Sequence, residues 1–143
     1  MKALLIALLL VAMALPVQAE VINDVIVADA VTTTQTSETF GSGGAKHMLI
    51  AVDVTVCVTS CLFRIWVDQM LPDGTFMAIW AVAAMDNGAV GKEQYLLAFG
   101  PANISNSEFE AAQGGVAVPP VWRIRAVWTS GGAATYTVDV SQW

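Results

Sequence analysis

The sequence predicts an all-β chain: an antiparallel β-sandwich, jelly-roll or immunoglobulin-like, of about eight strands behind a cleaved signal peptide. Three observations predict it. Apolar side chains recur every second residue over most of the chain, turn-forming clusters punctuate these runs, and no comparably long stretch shows helical spacing. Length and charge bound the rest. The 143 residues are one domain's worth, too few for a barrel enzyme or a doubly wound α/β fold with its substrate domain. Twelve acidic residues against six basic ones give a net charge of −6. That balance argues against nucleic acid, whose phosphate backbone demands clustered Lys and Arg.

The N-terminus reads as a transport signal. Lys2 supplies the positive region, Leu4 to Leu15 the apolar core, and Val17-Gln18-Ala19 the small residues of a cleavage site. The apolar run is broken by Pro16 and is shorter than the ~20 residues a spanning helix needs. No Cys near the cleavage site offers a lipid anchor. The expected organisation is therefore a signal peptide over residues 1–19 and one β-sandwich domain over residues 20–143. Cleavage removes only Lys2 from the charged set, so the acidic excess deepens. Charged residues make up 13% of the whole chain, against roughly one quarter in an ordinary soluble domain. A surface so poor in charge suits a chain that packs against copies of itself or a larger body.

The strands follow in order. Val21–Val27 is apolar and β-prone, and a Thr-rich strand near Thr32–Phe40 precedes the Gly41-Ser42-Gly43-Gly44 break. Met48, Ile50, Val52, Val54 and Val56 then alternate with Ala51, Asp53 and Thr55. Phe63, Ile65 and Val67 alternate with Arg64, Trp66 and Asp68 over Cys61–Gln69. Pro72-Asp73-Gly74 is a strong turn, and Thr75–Ala84 follows it. Phe76–Ala84 is apolar on both faces, which predicts a strand buried between layers. Asp86-Asn87-Gly88 ends that run, and Glu93–Phe99 is the next strand. Asn103–Gly115 reads either as an ordered loop or as a single helical turn capped by Ser107. After Pro119-Pro120, Trp122, Ile124, Ala126 and Trp128 alternate with Arg123, Arg125 and Thr129. Ser130-Gly131-Gly132 predicts a hairpin into Ala134–Val140.

Cys57 and Cys61 are the two cysteines, with three residues between them, and lie between predicted strands. In an exported chain they are expected to form a disulfide closing the mouth of a hairpin, worth about 2 kcal/mol in the chain-entropy picture. A redox motif would have two intervening residues, and zinc would need about four ligands where His47 is the one imidazole. No metal or other cofactor is expected.

Catalytic chemistry lacks its parts. His47 would have to serve any Ser–His–Asp triad, no Gly-x-Ser-x-Gly elbow is present, and an exposed loop explains this histidine. Asp53, Asp68 and Asp139 lie on polar strand faces and could supply a glycosidase pair. Solvated acids on an outer face account for them more simply. The expectation is no enzyme.

The five tryptophans separate by alternation. Trp80, Trp122 and Trp128 fall on core faces. Trp66 stands between Arg64 and Asp68, opposite Phe63, Ile65 and Val67, and is a candidate contact residue with both neighbours. Packing beneath a loop is its alternative. An ion pair of Asp68 with Arg123 or Arg125 is expected on the sheet surface. Trp143 is either a frayed end or an anchor into a neighbouring subunit. The first mature strand either pairs within its own sandwich or completes a neighbour's sheet.

Leu71-Pro72-Asp73-Gly74-Thr75-Phe76, Val118-Pro119-Pro120-Val121-Trp122-Arg123-Ile124-Arg125 and Gly131-Gly132-Ala133-Ala134-Thr135-Tyr136-Thr137-Val138 resemble the small β-sandwich virion and accessory proteins of tailed phages and prophages. The resemblance implies a decoration or accessory structural role without catalysis. An export signal departs from that group, whose members assemble inside the cell, and turns the expectation toward an exported surface or matrix protein.

The functional expectation is an exported, non-catalytic structural or interaction protein, secreted, at the cell surface or periplasmic. It would associate with itself or attach to a larger surface, filament or virion-like assembly, with no membrane span in the mature chain. The alternative is a secreted glycan-binding module using Trp66. More distant readings are an eight-stranded outer-membrane barrel, whose aromatic girdle would be sparse here, and a small hydrolase.

Overall fold

A computed structural model describes residues 19–85, 90–98, 111–113 and 117–143. The expected signal segment up to residue 18, the Asp86-Asn87-Gly88 turn and the Ser107 cap lie outside the described residues. The described strands are β1 (Glu20–Val31), β2 (Gln35–Thr36), β3 (Phe40–Gly41), β4 (His47–Cys57), β5 (Leu62–Met70), β6 (Phe76–Met85), β7 (Gly91–Ala98), β8 (Ala111–Gln113), β9 (Val121–Ser130) and β10 (Ala134–Gln142). The Thr-rich strand expected near Thr32–Phe40 exists only as the two short pieces β2 and β3. Of the segment expected as a loop or helical turn, only Ala111–Gln113 is described, and it is extended and pairs in parallel with β7.

The pairing is nested. β1 pairs with β10, β2 and β3 with β9, β4 with β7, and β5 with β6, all antiparallel. The chain is thus one long hairpin, rolled so that β10 also meets β4 and β9 also meets β5. The first sheet has the order β1-β10-β4-β7-β8, the second β2-β9-β5-β6, with β3 also on β9. With β2 and β3 taken as one interrupted strand and β8 as an appendage, this is the jelly-roll order of two Greek keys. The immunoglobulin-like alternative does not hold, because nesting sets the first strand beside the last. Neither sheet closes on itself among the described residues, unlike a barrel.

Alternation fills the space between the sheets. Met48, Ile50, Val52 and Val54 of β4 face Phe63, Ile65 and Val67 of β5 across a buried core, each fully buried large side chain stabilising by about 1.5–3 kcal/mol. Phe63 stacks on Tyr136 of the other sheet with ring centroids 4.5 Å apart. Burial also pushes the Tyr136 phenol well above its usual pKa. Trp80 and Trp122 are core residues as expected, while Trp128 is half-buried and packs against the core from its edge.

Two expected hairpins are instead corners between sheets. β4 and β5 lie in different sheets, and so do β9 and β10. The Cys57–Cys61 and Ser130–Ala133 connections therefore cross from one layer to the other, side by side. Val58 N–H donates to Ala133 O at 2.9 Å and Gly132 N–H to Thr59 O at 3.2 Å. Thr59 and Ser60 both adopt positive φ, 46° and 59°. The Cys57 and Cys61 sulfurs lie at bonding distance, with Cα atoms 5.5 Å apart. The β5–β6 connection is a true hairpin, closed by Leu71 N–H on Thr75 O at 2.8 Å.

β1 pairs within its own chain and forms an edge. Its ladder is interrupted at Asp24 and Ala30, which take positive φ of 54° and 49°. Both freed amides are satisfied by β10 side chains. Asp24 N–H donates to Asp139 Oδ1 at 2.9 Å and Ala30 N–H to Thr135 Oγ1 at 3.0 Å. Bulges of this kind twist an edge away from further pairing.

β6 differs from its sequence reading. It ends the second sheet rather than lying between layers. Trp80 and Met85 are buried, but Met77 is 49% exposed and Ala78 faces solvent. An apolar run on both faces cannot distinguish a central strand from an edge strand that keeps its outer side apolar.

Candidate interaction surface

The outer face of the second sheet collects the residues that alternation turned away from the core. Register places Trp66 of β5 between Arg125 of β9 and Ala81 of β6, and Asp68 between Arg123 and Ala78. Arg64 stands one row away, opposite Val127. Trp66 is half-buried within its sheet row, and Arg64 is exposed.

Asp68 organises the surface. Its side chain is 1% exposed, so it is not the solvated acid expected from its place on a polar face. Two arginines cover it. Arg125 Nη2 donates to Oδ1 at 2.8 Å and its Nε to Oδ2, a two-pronged pairing, while Arg123 Nε donates to Oδ2 at 3.0 Å. Burial pushes the Asp68 carboxyl up, but hydrogen bonds and charge from Arg125 and then Arg123 outweigh it. The net effect holds the group below its ordinary value. Two cations on one anion leave this cluster positive. The Arg123 guanidinium also lies 3.8 Å from the ring centre of Phe76 on β6, a cation–π contact that ties β9 to β6 across β5. The ion pairs fix both guanidinium heads, and the Phe76 contact adds to that of Arg123, with their side chains still about a quarter exposed (27% and 29%). With Trp66 opposite Arg125 in the register, they make an arginine–tryptophan plate on the outer face of the sheet.

Other candidates stand apart. His47 is not on an exposed loop. It opens β4, is half-buried and stacks on Trp143 with centroids 5.5 Å apart. Trp143 is not frayed, since its N–H donates to His47 O and its carbonyl accepts from Lys46 and His47. Asp53 and Asp139 lie on the first sheet and Asp68 on the outside of the second, so the three carboxylates do not converge. Among the described residues no three His, Cys, Asp or Glu side chains gather as a metal would require. A shallow cleft lies elsewhere, lined by Glu20, Ser42, Gln142 and Trp143.

Sequence reading isolated Arg64, Trp66 and Asp68 and anticipated the arginine pairing. It missed Phe76, whose position after a turn resembles a core position. It also missed Gln142, a buried amide whose only signal is its place on the inward phase of β10.

No family model and no curated protein matches the sequence. Among the solved structures similar to the chain is the crystal structure of the SPBc2 prophage-derived protein YomS. It has 9% sequence identity and a TM-score of 0.47, with 88% of this chain and 94% of that chain covered. A likeness at this level carries no statement about activity.

Proposed function

We propose that the chain is an exported, non-catalytic interaction protein that works by contact with other protein surfaces, its own copies or a larger assembly. The observation that carries this reading is the plate on the second sheet. Trp and Arg are the residue types enriched at the energetic centres of protein interfaces, and here Arg123 and Arg125, beside Trp66, are held by Asp68 before any partner arrives. Preorganised side chains lose less entropy on binding. The signal-like N-terminus and the sparse charge of the chain support the same reading. Light scattering across a concentration series is expected to give a mass above one chain. A strict monomer at about 1 mM would count against self-association.

A glycan-binding role for Trp66 is the second reading, favoured by a partly exposed indole flanked by arginines that would suit acidic sugars. On a glycan array, retention by the wild type and its loss in Trp66→Ala would support it. No retention of any glycan would remove it.

A further inference from the structure

The ionisable side chains divide unequally between the two outer faces. All three arginines, Arg64, Arg123 and Arg125, stand on the second sheet, where Asp68 offsets one of them. The outer side of the first sheet carries Asp53 on β4, Asp139 on β10 and Asp29 on β1, held by Thr135 Oγ1 at 3.3 Å. Asp24 lies exposed at the same edge, and Lys92 holds the register position opposite Asp53. Amid these acids Val27 is 64% exposed, in the row of Thr137 and Asp53. Packed sheets lie about 10 Å apart with their outer sides pointing away from each other, so the two faces cannot meet within one molecule.

We propose that they meet between molecules: the acidic outer face of the first sheet of one copy seats on the arginine–tryptophan plate of the next. This rests on the self-association reading above and names its geometry. Carboxylates meet the exposed Arg64 and the guanidinium donors of Arg123 and Arg125 that Asp68 leaves unused, and Trp66 with Val27 supplies apolar contact. A second copy is the occupant that the charges select, because all three arginines stand on one outer face and Asp24, Asp29, Asp53 and Asp139 on the other. The contact is heterologous, so it propagates as a stack or closes as a ring rather than ending at a two-fold dimer.

Sedimentation of the purified, exported protein tests it with two variants that leave the Asp68 cluster intact, Arg64→Glu and Asp53→Lys, each checked for fold by circular dichroism. Wild type is expected to associate, and each variant alone to associate at least about tenfold more weakly. An equimolar mixture is expected to regain association, because the untouched acidic face of Arg64→Glu meets the untouched plate of Asp53→Lys. Either variant associating like wild type would overturn the stacking geometry and leave self-association standing. A mixture that does not recover would overturn it too. A wild type monomeric at about 1 mM would overturn both.

Discussion

The indole N–H of Trp122 donates to the side-chain oxygen of Gln142 at 3.2 Å, joining the two sheets through a buried polar bond. The amide nitrogen of Gln142 donates in turn to Glu20 Oε2 at 2.7 Å and Gly41 O at 3.0 Å. One side chain, 2% exposed, therefore connects β9, β10, β3 and the start of β1. Gln142→Leu would leave the Trp122 donor buried without this acceptor. The expected cost is about 1–3 kcal/mol, read as a lower urea midpoint with an unchanged slope. Trp122→Phe in the same chain should recover part of the loss. An unchanged midpoint in Gln142→Leu would contradict the role given to this bond.

Asp68 makes stability depend on pH with a definite sign. Its carboxyl is held below its ordinary value of 3.8, so the folded state binds the proton less readily than the unfolded one. The stabilisation is complete above the unfolded pKa of about 3.9 and is lost as pH falls through the lower folded value. The difference in melting temperature between wild type and Asp68→Asn should be constant from pH 7 to about 5. It should narrow below about pH 4. A difference independent of pH down to about 2 would contradict the assignment.

The two sheet-crossing corners leave no room for side chains where they touch. A Cβ on Gly131 would stand 2.0 Å from Ser60 O, and one on Gly132 would stand 2.2 Å from Val58 O. Gly74 also has positive φ, 81°, but faces open space. Gly74→Ala should therefore cost about 1–2 kcal/mol from backbone strain alone. Gly131→Ala and Gly132→Ala should each cost more, because backbone must move. Thermal unfolding of the three variants gives the ranking, and equal losses would contradict the contact.

The Cys57–Cys61 ring is short, so its contribution is local. Replacing both residues with Ser should lower stability by no more than about 2 kcal/mol, with intact mass confirming oxidation in the wild type. A loss twice that size would mean that the bond holds the adjoining corner as well as its own loop.

Alternation made the inward and outward faces of β4, β5, β9 and β10 legible, and with them the position of Trp66. A period of two records burial on one side of a strand and is blind to which sheet the strand joins. For that reason the corners at Cys57–Cys61 and Ser130–Ala133 read as hairpins, since a turn of Gly and Ser looks alike in both. Phe76–Met85 failed for a related reason: apolar residues on both faces can mean two covered faces, or one covered face and an apolar outer side. Asp68 read as solvated because its burial depends on Arg123 and Arg125, more than fifty residues away in sequence.

The central claim is that the plate around Trp66 is the working surface of the protein. Sedimentation equilibrium of wild type and Trp66→Ala, with matched circular dichroism spectra, tests it most directly. Removing the indole should shift the wild-type assembly toward monomer by at least about tenfold in association constant, the scale of an interface anchor. A Trp66→Ala protein that assembles as tightly as wild type would contradict the claim.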